Sequence, residues 1–288
     1  MDATRRRTLR ALGASAVAAT AAGCLSGDGQ EVPTEDGDGT GTDDGNGTDD
    51  GDGPDTDADG VTVDAVSVRP ELVTRNSPDS YGTYGGRNEQ YVVVELSVES
   101  PEAHPPDSFA VEAGDETHGV VTDVGEGNGF LAEFDTAYDP EDGDSGWLAA
   151  RLPKPLEAES AALTWDGGRH EFDDPVLERL RRPPAEFQVG FEAPESAAIG
   201  DTVTATVTAE NVGDVDGTFV GALNRVGPLV AYAPEAAVVL DVEAGDSATW
   251  EFTHELDESL DDREDPRMRL HLVWDEQRTT REVDVERP

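Results

Sequence analysis

The sequence predicts an all-β protein, two tandem β-sandwiches behind a signal peptide and a disordered acidic linker. Three observations predict it. Short β-branched and aromatic runs recur between Gly-, Asp- and Pro-rich turns from residue 61 onward. Helical patterning is confined to one short stretch near residues 174–182, which argues against bundles and against alternating strand–helix sheets. The β pattern breaks at Pro183-Pro184 and starts again, leaving segments 61–173 and 185–288, each large enough for one small sandwich.

The chain opens with Arg5, Arg6, Arg7 and Arg10, followed by a short apolar run, Ala11 to Ala22. That run is too short to span a bilayer comfortably, which favours a cleaved signal over residues 1–23. Arg6 and Arg7 ahead of Thr8-Leu9-Arg10 suit twin-arginine export. The run ends in Ala21-Ala22-Gly23-Cys24, where small residues let a processing enzyme approach the backbone. This stretch resembles a lipobox. The resemblance implies that Cys24 is the mature N-terminus and carries lipid. The protein would then be held at the extracytoplasmic face of the cell membrane, with membrane lipid as its partner through Cys24. The alternative is an ordinary secretory signal with an incidental cysteine.

Residues 24–60 follow as Asp, Gly and Thr, with no aromatic residue and no Lys or Arg. Such a segment buries too little apolar area to offset its backbone entropy, so disorder is expected. A flexible tether of this length has an end-to-end distance of roughly 30–35 Å. Asp55, Asp57 and Asp59, with Gly60, match the first half of a calcium loop, but its twelfth position is Val66 where a bidentate carboxylate is needed. A calcium site and a solvated acidic tether are thus both open, and the second fits the following strand pattern better. Asn46-Gly47-Thr48 is a glycosylation sequon in the same segment.

The 288 residues carry a formal net charge of −44, one lysine (Lys154) and one cysteine. Residues 61–288 keep 50 of the 64 acidic and 16 of the 20 basic residues, a net charge of −34. Folded domains with that imbalance repel themselves in dilute buffer, and molar salt, with a Debye length of roughly 3 Å, removes most of the penalty. Near-absence of lysine with abundant Asp and Glu resembles proteins of extreme halophiles. The same charge argues against nucleic acid as a partner, since no basic face is visible. With Cys24 consumed no disulfide can form, and the domains depend on their own cores.

In the first segment Val61-Thr62-Val63 opens with period-two alternation, and Tyr91 to Val98 is the strongest strand. Phe109–Glu112 and Thr117–Thr122 read as a hairpin about Gly114-Asp115. Trp147–Leu152 is a further strand, and Ala161–Trp165 with Arg169–Phe172 a closing hairpin. Stretches 75–90, 123–129 and 139–146 read as long loops. The run YVVVELSVES…DSFAVEAGDETHGV, with GWLAARLPKPLEAESAALTWDG, resembles the small immunoglobulin-like domains of prokaryotic lipoproteins.

The connector, 174–184, reads as a short helix capped by Asp174, with Pro175 in its first turn and arginines in its last. Beyond it strands are expected at Phe187–Phe191, Thr202–Ala209, Phe219–Leu223, Ala237–Val242, Ala248–Thr253, Met268–Trp274 and Arg281–Val285. The pattern GDTVTATVTAENVGDVDGTF, then LDVEAGDSATWEF, resembles the adhesion-related immunoglobulin-like modules of archaeal and bacterial surface proteins. Trp250 and Trp274 read as core fillers.

No motif supports catalysis or a cofactor. Gly143-Asp144-Ser145-Gly146 copies the surroundings of a serine-protease nucleophile, but Trp147 follows where that family has glycine, and no histidine motif accompanies it. The five histidines show no zinc spacing. A blue-copper site needs a thiolate inside the fold. Gly125-Glu126-Gly127-Asn128-Gly129 is acidic and lacks a following lysine, which disfavours phosphate cradling. The sequence therefore predicts a membrane-anchored, extracytoplasmic, non-enzymatic binding or structural module of the cell envelope, with another envelope protein as a possible partner. The alternative is an accessory or solute-recognition lipoprotein whose ligand sits in the loops of the first domain, against Tyr81, Tyr84 and Trp147.

Overall fold

The computed structural model describes residues 56–57, 60–125, 129–257 and 267–286. Arg6, Arg7, Cys24, Asn46, Asp55 and Asp59 lie outside the described residues, as does the centre of the Gly125–Gly129 stretch.

The class is all-β. The first half holds β1 (Thr56–Asp57), β2 (Val61–Arg69), β3 (Glu71–Ser77), β4 (Ser80–Gly85) and β5 (Glu89–Val98). There follow β6 (Ala110–Ala113), β7 (Glu116–Val121), β8 (Ser145–Pro153), β9 (Ala161–Trp165), β10 (Gly168–Glu171) and the helix α1 (Asp174–Arg181). Eight strands join in the order β1-β2-β5-β8-β7-β6-β9-β10, and β3-β4 is a separate hairpin. The long sheet folds over on itself at β7, which pairs with β6 through Glu116–Gly119 and with β8 through Val120 and Val121. One core fills the fold, with Val92, Val94, Leu148 and Ala150 on one side and Val111, Leu163 and Trp165 on the other.

Tyr91-Val92-Val93-Val94 is an unbroken apolar run because β5 is buried on both faces. Val92 and Val94 face that first core. Tyr91 and Val93 face a second one, with Leu72, Leu131, Trp147 and Ala149. The β3-β4 hairpin covers this outer face, and it occupies most of the stretch that reads as a loop in the sequence. Its turn, Pro78-Asp79, is held by the Ser77 hydroxyl, 2.7 Å from Asp79 Oδ1 and 2.7 Å from the Ser80 hydroxyl. Gly85 lies where a Cβ would meet the Pro70 carbonyl at 2.6 Å.

The helix belongs to this first body. Asp173, not Asp174, caps it, accepting from Val176 N at 2.9 Å; Asp174 and Pro175 form its first turn. An aspartate one position earlier satisfies the same orphan amide, and the two cannot be ranked from sequence. Leu177 and Leu180 enter the first core, and the buried Gln90 amide donates to the carbonyls of Leu180 and Pro153, each at 2.8 Å.

The second half holds β11 (Phe187–Glu192), β12 (Ser196–Ala198), β13 (Thr202–Asn211), β14 (Gly217–Val226), β15 (Ala233–Val242), β16 (Ser247–Glu255), β17 (Arg267–Trp274) and β18 (Gln277–Glu286). A three-stranded sheet, β11-β13-β16, faces a five-stranded one, β12-β18-β17-β14-β15. The short β12, missed in the sequence, pairs parallel to β18. Phe191, Val203, Ala205 and Val207 meet Leu223, Leu270, Leu272 and Val283 between the sheets.

The described residues form one compact unit, and the reason lies on β14. Phe219 and Leu223 point into the sandwich, while Val220 and Ala222 point outward and are buried too. They pack with Val239 and Val273 against Val73, Tyr81 and Ala132 of the first half. The hairpin β3-β4 thus has two buried faces, Leu72 and Tyr84 toward the first sandwich and Val73 and Tyr81 toward the second. The fully buried Asn224 side chain closes the contact as a strand would: its Oδ1 accepts from Tyr81 N at 2.7 Å and its Nδ2 donates to Tyr81 O at 3.0 Å.

Candidate functional site

Tyr81, Tyr84 and Trp147, the ligand contacts expected from sequence, take packing positions. Trp147 is 1 % exposed and fills the second core of the first half. Tyr84 packs beside that core, its ring against Gly125, where a Cβ would approach it to 2.3 Å. Tyr81 lies at the junction, stacked on Phe130 at 5.6 Å, and the Arg75 guanidinium lies over the same Phe130 ring, 4.6 Å from its centre. The burial of Trp147 corrects its expected place as a ligand contact; Tyr81 and Tyr84 are part-buried packing residues. Asp57 lies in β1, paired with Val61, while its two companions in the calcium half-loop are undescribed. Among the described residues no cluster of three or more His, Cys, Asp or Glu could hold a metal.

The Gly143–Gly146 turn has a packing role. Ser145 begins β8 opposite Ser97. At Gly146 a Cβ would lie 2.5 Å from Tyr138 N, because residues 136–138 run directly alongside: Trp147 N donates to Thr136 O and Tyr138 N to Trp147 O. The second glycine of the motif is a close approach of two backbones.

The structure instead opens a cleft of about 710 Å³ at the end of the junction, between the two sandwiches and the 182–187 connector. Phe187, Phe219, Val220 and Trp274 give it apolar lining. Its charges are mixed, four cations against six carboxylates. The cations Arg87, Lys154, Arg179 and Arg182 come from the first half and the helix end; of the carboxylates, Glu71 comes from the first half, and Glu186, Asp216, Asp241, Glu243 and Asp275 lie beyond the helix. Three ion pairs cross the cleft: Arg87–Glu186 at 3.3 Å, Arg179–Asp241 at 3.6 Å and Arg182–Asp216 at 3.6 Å. All are solvent-exposed, so each is worth about 0–1 kcal/mol and exchanges readily.

Two groups are tuned by this setting. Lys154, the only lysine in the chain, donates to Gln90 Oε1 at 3.3 Å. Among the described residues no carboxylate pairs with it, and burial, then the nearby Arg182 charge, pull its ammonium below the usual range. Glu71, on β3, is pushed up to about 7, mainly by burial and further by the Asp275 and Glu276 carboxylates. Asp275 N donates to it at 3.3 Å, and a hydrogen bond with Thr83 also favours its charged form. Sequence reasoning marked Lys154 as solitary and the helix-end arginines as dipole partners, but the cleft is assembled from stretches as far apart as Glu71 and Asp275.

No protein-family model matches the chain, and no curated protein matches it. Among solved structures it is similar to a β-glucosidase from Listeria innocua in complex with isofagomine, at 20 % identity over 35 % of this chain and 16 % of that one, with a TM-score of 0.29. It is also similar to the CARDB domain of a Pyrococcus furiosus protein in complex with di-metal ions, at 10 % identity over 35 % of this chain and 89 % of that one, TM-score 0.28. A third is the alkylpurine DNA glycosylase AlkC of Pseudomonas fluorescens bound to DNA, at 14 % identity, 34 % and 30 % coverage, TM-score 0.25. The chain spans about a sixth of the length of the glucosidases it matches.

Proposed function

We propose that this protein is a lipid-anchored, extracytoplasmic, non-enzymatic binding module that receives a small polar solute in the cleft at its junction. The observation that carries this reading is the cleft itself: apolar lining, charged groups of both signs, and a frame held by Asn224 and the doubly buried β3-β4 hairpin. A pocket between domains that are locked together is a surface suited to binding. The leader supports the location, through Arg6 and Arg7 for export and Cys24 for lipid. The two sheet systems support immunoglobulin-like sandwiches, with the second half's three-on-five arrangement nearer to that pattern. The −34 charge of residues 61–288 supports a halophilic setting.

Two measurements test the proposal. Cys24→Ser is expected to move the protein from membranes to the medium, or to leave an uncleaved precursor. Normal processing with retained membrane association would overturn the anchor. For the cleft, thermal unfolding of the full chain in 2 M KCl is measured against a panel of small polar solutes. At least one is expected to raise the melting temperature, and Thr218→Trp, which fills the cleft from β14, is expected to abolish the rise. A rise that survives Thr218→Trp would place binding elsewhere.

A further inference from the structure

The sixteen cations of residues 61–288 are heavily outnumbered by carboxylates. Of the four described cations that line the cleft, Arg87, Arg179 and Arg182 each pair with a carboxylate and Lys154 does not. It follows β8 in the cleft wall and is half-buried, and its amine has the Gln90 amide oxygen as its hydrogen-bond acceptor. Its charged neighbour is another cation, Arg182, at the end of α1. Arg182 in turn holds Asp216 only loosely, at 3.6 Å and in solvent. Gln90 is fixed by the carbonyls of Pro153 and Leu180, so the lysine head has a rigid seat at the base of the helix end.

We propose that the Lys154–Arg182 end of the cleft binds a compact oxyanion, a carboxylate, sulfate or phosphate carried by a small solute. The inference rests on the binding reading above and names the part of the solute that this site recognises. Lys154 and Arg182 line the same cleft and carry like charges that repel, and an oxyanion between them would neutralise that repulsion and satisfy the spare ammonium donors. Arg182 can turn to the anion by releasing an exposed pair of small worth. Arg87 and Arg179, also in the lining, add to the positive charge available to that group. The six carboxylates of the lining disfavour a polyanion, which restricts the ligand to one compact anionic group with a neutral or cationic remainder. Molar salt screens exposed pairs more than a half-buried one, so the site is suited to working at high ionic strength.

Because Lys154 is the only lysine, it reports on its own environment. The full chain, in 2 M KCl, is acetylated with a neutral amine-reactive ester across pH, and the rate at Lys154 is read by peptide mass spectrometry. Acetate, sulfate and inorganic phosphate are the probes, each compared with added chloride at equal ionic strength. At about 10 mM, at least one oxyanion is expected to slow acetylation roughly fivefold and to move the pH midpoint up by about one unit, since an anion stabilises the ammonium. The ranking of the three separates carboxylate from sulfate and phosphate. Arg182→Gln, a change at an exposed position, is expected to raise the midpoint without ligand, by removing a like charge, and to abolish the response to oxyanions. A midpoint indifferent to all three probes up to about 100 mM, or full protection in Arg182→Gln, would overturn the site. Should neutral solutes stabilise the protein through the cleft while oxyanions leave Lys154 untouched, the oxyanion site falls and the binding module stands.

Discussion

Glu71→Gln should stabilise the protein above neutral pH and do little at pH 5. The carboxyl of Glu71 sits at the junction with Thr83 and the Asp275–Glu276 turn beside it. Its folded pKa is about 7 against 4.5 for the free side chain. The folded state therefore binds the proton more tightly, and stability falls as pH rises from about 4.5 to about 7, then levels. A shift of that size corresponds to about 3 kcal/mol, at about 1.36 kcal/mol per unit. Glutamine keeps an acceptor for Asp275 N without the charge, and its own burial costs part of the gain, leaving about 2 kcal/mol at pH 8. For a unit of this size that is roughly 4–8 °C in melting temperature. Urea unfolding in 2 M KCl, followed by tryptophan fluorescence at pH 5 and pH 8, measures it. Salt screens the repulsion from Asp275 and Glu276 but not the burial, the larger cause, so the effect should survive high salt. Equal stability of the two proteins at pH 8, or a gain of the same size at pH 5, would refute the reasoning.

Two further outcomes are expected. Asn224→Ala leaves the Tyr81 amide and carbonyl without their partners at a buried junction and should cost about 2–4 kcal/mol, with faster hydrogen exchange at Tyr81; unchanged exchange there would show that Asn224 does not hold the hairpin. Gly146→Ala forces a Cβ into the Tyr138 backbone and should cost more than about 2 kcal/mol, whereas Gly143→Ala, which meets nothing within 4 Å, should be neutral within about 0.5 kcal/mol; equal effects would remove the packing account of that turn.

The strands that the sequence revealed are those with a clean burial pattern. Thr202–Ala209 alternates because one face of β13 is wet, and Tyr91–Val94 is continuous because both faces of β5 are dry. The β3-β4 hairpin stayed hidden for the opposite reason. Arg75-Asn76-Ser77-Pro78-Asp79-Ser80 and three nearby glycines carry turn chemistry, and its apolar residues are few because each face needs only one or two to fill it. Trp147 was misplaced as a ligand contact because a buried and an exposed tryptophan look alike in sequence; the 130–138 stretch that covers it has no periodic signal. The cleft was beyond reach because it depends on how two sandwiches dock. Its one legible trace was the isolation of Lys154 in an acidic chain.

The doubly buried hairpin has a consequence for how this architecture can be divided. Severed at Pro183-Pro184, the second half would present Val220, Ala222, Val239 and Val273 to water on the broad face of its five-stranded sheet. The first half would lose the cover over Val73 and Tyr81. Each piece would carry a sticky apolar face, a recipe for self-association rather than for two well-behaved modules. Shuffling by recombination, which treats such sandwiches as interchangeable beads, is therefore expected to move this pair only as a whole. The heritable unit is the couple, with its seam as the part least free to drift.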